Sequence, residues 1–152
     1  MRCYCVIETM CGNLMIVQKE NSIVQISFVE HPIHRSYTVL LRKAAQQLHE
    51  YFAGQRKEFS FPIALYGTEF QQSVWNALRN IPYGQTKTYK EIAHEIGNEQ
   101  AVRAVGMANH NNPIAIVVPC HRVIGKSGAL VGYAAGLDRK KQLLQLEQEN
   151  ER

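Results

Sequence analysis

The first third of the chain carries hydrophobic residues at two spacings, one typical of strands and one typical of helices. Alternation of apolar and polar positions predicts three strands, over Cys3–Thr9, Leu14–Gln18 and Ile23–Phe28. Apolar residues recur every three or four positions from Tyr37 to Phe52, which predicts a helix. A short fourth strand is predicted over Glu58–Pro62. Together these elements predict a mixed α/β N-terminal domain over residues 1–66.

Residues 67–152 predict a second, mostly helical domain, because short capped helices replace the strands. Thr68 with Gln71, and Thr88 with Glu91, have the spacing of a capping box, which opens a helix. The predicted helices cover residues 68–79, 89–96, 99–110 (with Asn98 as cap) and 138–149. The turn between the second and third of these helices has the length and the glycine typical of a helix-turn-helix.

The predicted helix 99–110 places different side chains on two of its sides. One side is expected to pack inward, with Ala101, Val102, Val105 and Ala108. The other side carries Arg103, Gly106, Met107 and His110. Glycine inside a helix lowers helix stability by about 0.8–1 kcal/mol relative to alanine, so the presence of Gly106 requires an explanation. Close approach of a DNA backbone and close approach of a neighbouring helix both remain open.

A reactive cysteine is predicted after the apolar run Pro113–Val118, which we interpret as a buried strand. Cys120 is followed by His121 and Arg122, and positive charge nearby favours the thiolate, the attacking form of a cysteine. Adjacent side chains of an extended strand point to opposite faces, so His121 is expected to act on Cys120 through a water molecule. The other cysteines lack metal-site spacing and are interpreted as packed thiols: Cys3, Cys5 and Cys11.

Glu147 borders the apolar face of the last predicted helix. A partly buried carboxylate needs a cation or a hydrogen-bond donor, and either His121 or Arg122 would serve. One interpretation is a relay from Glu147 through His121 and water to Cys120. The other is a structural salt bridge between Glu147 and Arg122. The sequence leaves both open.

Composition limits the classes of protein to consider. Charged residues make up 20% of the 152 positions and the formal net charge is +4, which excludes a disordered, highly charged tail. The N-terminus shows no secretory signal, and the longest apolar run is too short to span a bilayer. We therefore expect a cytoplasmic protein without membrane contact. Residues 79–141 hold nine basic and four acidic side chains, which fits either an anionic partner or an ordinary solvated surface.

The segment Pro119-Cys120-His121-Arg122-Val123-Ile124 resembles the active-site motif of the O6-alkylguanine-DNA alkyltransferases, also called methylated-DNA–protein-cysteine methyltransferases. Further short matches follow in the family's order: Tyr83–Thr86, Thr88-Tyr89, Arg103–Gly106, Asn112-Pro113, Gly132-Tyr133 and Leu143-Leu144 with Glu147. The resemblance covers about residues 68–150. It implies a ribonuclease-H-like α/β N-terminal domain and a C-terminal domain with a helix-turn-helix of winged-helix type.

The implied activity is direct reversal of DNA damage, as a single-turnover methylated-DNA–protein-cysteine S-methyltransferase. Cys120 would take the alkyl group irreversibly from O6 of a flipped guanine, with O4-alkylthymine as a further candidate substrate. His121 would deprotonate Cys120 through water and Glu147 would orient the imidazole. Tyr89 would help to rotate the nucleotide and would donate a proton to the departing guanine, which leaves as an anion.

The resemblance also implies how DNA is held. Arg103 would fill the vacated place in the base stack, and Ala104 and Gly106 would lie against the minor groove. Asn112 would form a hinge between the recognition helix and the active site. Residues of the base pocket would be Val123, Tyr133 and Ala134. The implied partner is double-stranded DNA carrying O6-alkylguanine, bound by a monomer, and neither cofactor nor metal is expected.

Departures from the family pattern and rival classes complete the prediction. Ala134 replaces a serine of some relatives, Ala135 a glycine and Ala115 a proline, so a different alkyl pocket is expected. A non-enzymatic alkyltransferase-like protein, which lacks the nucleophile, is disfavoured by Cys120. A cysteine hydrolase built on Cys120, His121 and Glu147 is the second rival, and it would turn over repeatedly.

Overall fold

The computed structural model describes residues 2–151, and the chain divides into two compact units after Leu65. Each unit has its own buried core. Within residues 2–151, no helix is both long enough and apolar enough to cross a membrane.

The first unit is an antiparallel three-stranded sheet with one helix, which confirms its predicted strands and helix. Strands β1 (Arg2–Thr9), β2 (Gly12–Lys19) and β3 (Ser22–Phe28) pair in the order β1-β2-β3. Helix α1 (Val39–Phe52) begins after Thr38, whose hydroxyl accepts a hydrogen bond from the Leu41 N–H. Its buried face packs on the sheet through residues such as Leu41, Ala44 and Leu48.

The predicted strand Glu58–Pro62 is wrong. This segment meets the sheet only at its end, where the Ile23 N–H donates to the Pro62 carbonyl and the Ala64 N–H donates to the Ile23 carbonyl. Pro62 has no N–H to offer a ladder, and Phe59 and Phe61 pack edge to face instead. Side-chain packing, rather than strand pairing, fixes the segment.

Three cysteines of the first unit lie near its sheet. Cys5 and Cys11 are buried and Cys3 is partly buried, and all three are free thiols. Burial, with the nearby Cys3, raises the pKa of Cys5 to about 11. Cys5 is therefore protonated and unreactive at neutral pH, as expected of a packed core residue.

The second unit is mostly helical, and both predicted capping boxes are confirmed. Helix α2 spans Glu69–Arg79, strand β4 is Lys87–Thr88, helix α3 is Tyr89–Glu95, helix α4 is Val102–His110, strand β5 is Val123–Ile124 and helix α5 is Leu137–Glu149. Thr68 and Gln71 exchange side-chain to backbone hydrogen bonds of 3.0 and 3.1 Å, and Thr88 and Glu91 do the same. β4 and β5 pair in parallel.

Helix α4 begins three residues later than predicted, and Asn98 does not cap it. Gly97 ends α3 with φ +77, and residues 98–101 then form a turn in which the Ala101 N–H donates to the Asn98 carbonyl. Glu99 binds the His94 ring at 2.6 Å instead of opening the helix. The inward face of α4 holds Val105, Ala108 and Asn109, whereas Val102, predicted to pack inward, is 38% exposed.

Candidate active site

Cys120 is presented by two tight turns, so the predicted strand Pro113–Val118 is wrong. The Val117 N–H donates to the Ala115 carbonyl at 2.8 Å, across Ile116 with φ +74. The Cys120 N–H donates to the Val118 carbonyl, also at 2.8 Å, and residues 120–122 then form one turn of 3₁₀ helix. The apolar run that predicted a strand is largely buried, and Ile114, Ile116 and Val118 alternate with less buried residues, but the chain forms three-residue turns there instead of a strand.

The side chain of Asn112 takes the place of a partner strand for this segment. Its Oδ1 accepts from the Ile114 N–H at 3.0 Å and its Nδ2 donates to the Val118 carbonyl at 2.7 Å. Nδ2 also donates to Sγ of Cys120 at 3.0 Å. One amide side chain therefore fixes both the backbone before the cysteine and the thiol itself, because a primary amide has two N–H donors and an acceptor oxygen.

The Cys120 thiol is buried and needs a base. Only 5% of the residue is exposed, and this burial raises the pKa of the thiol, against the opposing effects of Asn112 and of the Lys140 charge. The group is therefore mainly protonated at neutral pH. A nucleophile in that state reacts only if a neighbouring group removes its proton.

Glu147 binds both candidate partners, so the Glu147–His121 contact of the predicted relay and the Glu147–Arg122 salt bridge exist together. Its Oε2 lies 2.6 Å from Nε2 of His121, while Arg122 donates to both carboxylate oxygens, at 2.8 and 3.0 Å. The Gly84 N–H donates to Oε1 at 3.2 Å. Arg122 also donates to the Ile81 carbonyl at 2.8 Å, which ties this cluster to the end of α2. These contacts satisfy a carboxylate that is 1% exposed.

The cluster leaves His121 neutral and aimed to accept a proton. Burial lowers the pKa of His121, and Arg122 already neutralises the Glu147 carboxylate, whose own pKa lies far below its usual value because of His121 and Arg122. With Nε2–H donated to Glu147, Nδ1 carries the free lone pair. Nδ1 is buried and has no hydrogen-bond partner within residues 2–151. In this tautomer, Nδ1 is the ring nitrogen that can accept a proton.

Tyr89 lies at the other side of the site, under the loop that precedes α5. Its hydroxyl donates to the carbonyls of Val131 and Gly132, at 3.1 and 3.3 Å. Burial and the nearby Cys120 raise its pKa, so Tyr89 keeps its proton at neutral pH. Of the predicted pocket residues, Val123 and Tyr133 are buried and Ala134 is exposed.

The outer face of α4 opens onto a groove of about 380 Å³ between α4, Tyr89 and the 131–132 loop. Arg103 and Ala104 are exposed, and Arg103 makes no hydrogen bond or ion pair within the described residues. A Cβ placed on Gly106 would lie 4.0 Å from the Tyr89 ring, which is an ordinary contact. Within residues 2–151, no neighbouring helix therefore requires a glycine at this position.

Two residues at this site were not predicted from the sequence. Asn109 donates from its amide to the Cys120 carbonyl at 3.3 Å, and its Oδ1 is buried without a partner in the described part of the chain. Lys140 is fully buried on α5. The sequence did indicate that Lys140 faces the core, since Lys140, Leu143 and Glu147 lie on one face of a helix at intervals of three and four residues.

Two family models match the chain, one for each unit. The ribonuclease-like domain of 6-O-methylguanine DNA methyltransferase matches residues 3–65, and the DNA binding domain of the same family matches residues 69–149. These matches cover nearly all of the chain, and with the fold they give an N-terminal ribonuclease-like domain and a C-terminal DNA-binding domain.

Similar curated proteins and solved structures bear the same kind of name. A methylated-DNA–protein-cysteine methyltransferase of Methanosarcina acetivorans is 49% identical over 95% of this chain and 97% of its own length. A protein of that name from Mycobacterium leprae is 60% identical over 69% of this chain and 64% of its own length. The structure of the Mycobacterium tuberculosis O6-methylguanine methyltransferase has a TM-score of 0.88 at 43% identity, covering 99% of this chain and 94% of that one. The structure of the Mycobacterium tuberculosis protein in complex with DNA has a TM-score of 0.87 at 45% identity, covering 95% of this chain and 92% of that one.

Proposed function

Because this chain belongs to the 6-O-methylguanine DNA methyltransferase family, we propose that it repairs alkylated DNA by direct reversal, with Cys120 as the acceptor. The alkyl group passes from O6 of guanine to Sγ in a single, irreversible turnover. The observation that carries this proposal is the buried Cys120 thiol, followed directly by a neutral His121 that Glu147 holds in the tautomer of a base.

The reaction balances with groups of this chain alone. The Cys120 proton passes through a water molecule to Nδ1 of His121, and the thiolate attacks the alkyl carbon. As the sulfur–carbon bond forms, the bond from carbon to O6 breaks and the guanine leaves with the electron pair. Tyr89, which is protonated at neutral pH, donates its proton to that anion. The proton that His121 has taken up then restores Tyr89 through solvent, so that only the new sulfur–carbon bond remains on the protein. No cofactor takes part in these steps.

The second unit is proposed to hold duplex DNA through a helix-turn-helix made by α3 and α4. Arg103 is exposed and unpaired within the described chain, as expected of a side chain that enters a DNA duplex. Ala104 and Gly106 lie on the same helix, and their small size allows the minor groove to approach closely. Tyr89, which lines the groove, turns the nucleotide toward Cys120 in this proposal.

Three finer points also belong to the proposal. The pocket around the flipped base includes Val123, Tyr133 and Ala134, and Asn112 is the hinge between α4 and the active site. The protein acts as a monomer in the cytoplasm. O4-alkylthymine is a second candidate substrate.

Titration with damaged DNA tests the function. Purified protein is incubated with duplex oligonucleotides that carry one O6-methylguanine, and the Cys120 peptide is analysed by mass spectrometry. We expect one methyl group per protein molecule, located on Cys120, with guanine restored in the DNA. A free thiol after many turnovers would indicate a hydrolase, and binding to the lesion without modification would indicate a non-enzymatic binder. Either result contradicts the proposal.

Arg103→Ala should slow repair of duplex DNA by about 10–100-fold, because extrusion of a base costs a few kcal/mol that the guanidinium offsets. Reaction with the free base O6-benzylguanine should change little, if that base enters the pocket, since it needs no extrusion. Arg79→Ala, which removes an exposed arginine at the end of α2, is the matched control for lost charge. Equal slowing of both reactions by Arg103→Ala would remove Arg103 from base flipping.

A further inference from the structure

Asn109 is a buried amide that uses only its donor end within the chain. It lies on the inward face of α4, and 3% of the residue is exposed. Its Nδ2 donates to the Cys120 carbonyl at 3.3 Å, whereas its Oδ1 is buried and has no hydrogen-bond partner within residues 2–151. A buried acceptor without a partner lowers stability, so this oxygen requires an explanation.

The contact with Cys120 fixes the direction of this amide. Only the NH₂ end of an asparagine side chain donates to a carbonyl, so Nδ2 stays on the Cys120 side and Oδ1 points away from it. A rotation that exchanged the two ends would bring two acceptor oxygens into contact. The end of Asn109 that is left over is therefore an acceptor and not a donor.

This acceptor lies between the two groups that the proposed reaction places around the base. Asn109 lines the groove of α4 together with Tyr89, Gly106 and Gly132. Its amide contacts the Cys120 carbonyl, and it is close enough to Tyr89 to act on that hydroxyl: burial and Cys120 raise the pKa of Tyr89, and the Asn109 side chain lowers it. A base held between Tyr89 and Cys120 therefore lies beside Asn109.

The proposed lesion offers one group that fits an acceptor. Alkylation of O6 removes the hydrogen from N1 of guanine, so the 2-amino group is the only N–H donor left on the flipped base. This amine and O6 are carried by the two carbon atoms that flank N1, so a base whose O6 faces the sulfur has its amine in the same pocket. O4-alkylthymine, by contrast, has no N–H donor.

We propose that Asn109 is a specificity-determining residue for this repair: its Oδ1 accepts a hydrogen bond from the 2-amino group of the flipped O6-alkylguanine. This inference rests on the proposed function and adds a preference to it. Like the Cys120 thiol, Oδ1 becomes accessible when the base enters the pocket. Guanine lesions satisfy this acceptor, whereas O4-alkylthymine leaves it unpaired and is repaired more slowly. No proton moves along this hydrogen bond.

Removing the amine from the substrate tests the contact without changing the protein. Duplexes carry O6-methylguanine or O6-methylhypoxanthine, which is the same lesion without the 2-amino group. Each lesion lies opposite an abasic site, so that neither is paired before it flips. Methylation of Cys120 is timed by mass spectrometry in a single turnover. We expect the wild type to react at least about tenfold faster with the guanine lesion, and equal rates would overturn the inference.

Substitution then assigns the preference to Asn109. Asn109→Leu keeps the approximate size of the side chain without its polar atoms, and it should bring the ratio of the two rates close to one. The rate with O4-methylthymine, relative to O6-methylguanine, should rise by about the same tenfold factor. A general effect on the active site slows all lesions alike and leaves the wild-type ratio, which overturns the inference. Asn111→Leu, at the exposed end of α4, should keep the wild-type ratio.

Folding is checked by the fluorescence of Trp75, the single tryptophan of the chain, whose buried indole donates to the Ala108 carbonyl next to Asn109. If Asn109→Leu does not fold, the wild-type ratio decides alone: a tenfold preference for the amine supports the inference and equal rates overturn it. Failure of the proposed function shows separately, as wild-type protein that accepts no methyl group from O6-methylguanine.

Discussion

Cys120→Ala should accept no alkyl group from damaged DNA while binding that DNA with nearly unchanged affinity. The substitution removes the only atom proposed to form the new bond, so the loss of transfer is complete rather than partial. Binding should persist because Cys120 is buried and α4 keeps its exposed face. Mass spectrometry measures transfer, and the electrophoretic mobility of a lesion-bearing duplex measures binding.

The fold should tolerate this change. Asn112 keeps its hydrogen bonds to Val118 and Ile114 when Sγ is removed, so the cost in stability should be about 1 kcal/mol. Cys5→Ala, which removes a buried thiol from the first unit, is the matched control and should still accept one alkyl group per molecule. Loss of DNA binding in Cys120→Ala would instead make the thiol a structural group.

Glu147→Ala should destabilise the second unit by about 3–5 kcal/mol, since it leaves the buried Arg122 cation without its anion. Repair by any protein that remains folded should slow strongly, because His121 loses the group that orients it. Urea unfolding followed by Trp75 fluorescence measures the stability of this unit alone. Glu149→Ala, at an exposed position of the same helix, should change that stability by less than about 0.5 kcal/mol.

The destabilisation by Glu147→Ala should depend on pH. The carboxylate has a folded pKa far below its ordinary value of 4.5, so its contribution to stability is full above pH 4.5 and is lost as the pH falls toward the folded value. The gap in unfolding free energy between wild type and Glu147→Ala should therefore narrow in acid. A gap that stays constant down to pH 3 would show that folding does not lower the pKa of Glu147.

Local signals in the sequence predicted the helices well. The capping boxes at Thr68 and Thr88 were correct because both partners of each hydrogen bond lie within four residues. The same reasoning failed at Asn98, where Glu99 is drawn to His94 and the chain turns once more before α4 begins. Whether a residue caps a helix depends on the other polar contacts that its neighbours can make, and those contacts are known only from the folded structure.

The site was predictable as a set of residues but not as a geometry. The residues themselves, and then the family resemblance, brought Cys120, His121 and Glu147 into one predicted site and left Glu147 between two partners, His121 and Arg122, both of which it binds. It did not reveal that residues 113–118 avoid strand pairing, because the hydrogen bonds that replace a neighbouring strand come from the side chain of Asn112. Lys140 shares a helix face with Leu143 and Glu147, but its burial was not predicted, because its three acceptors are backbone carbonyls that the sequence pattern does not reveal.

The pair of turns before Cys120 makes the length of this segment invariable. Ile116 has a positive φ that is costly for a branched residue, and Pro119 is the central residue of the second turn. Neither turn can therefore absorb a change in length. One inserted residue adds up to about 3.3 Å of chain. A shift of that size would break the 3.0 Å hydrogen bond between Nδ2 of Asn112 and Sγ of Cys120. Proteins that share this chemistry should therefore tolerate substitutions between Asn112 and Cys120, but neither an insertion nor a deletion.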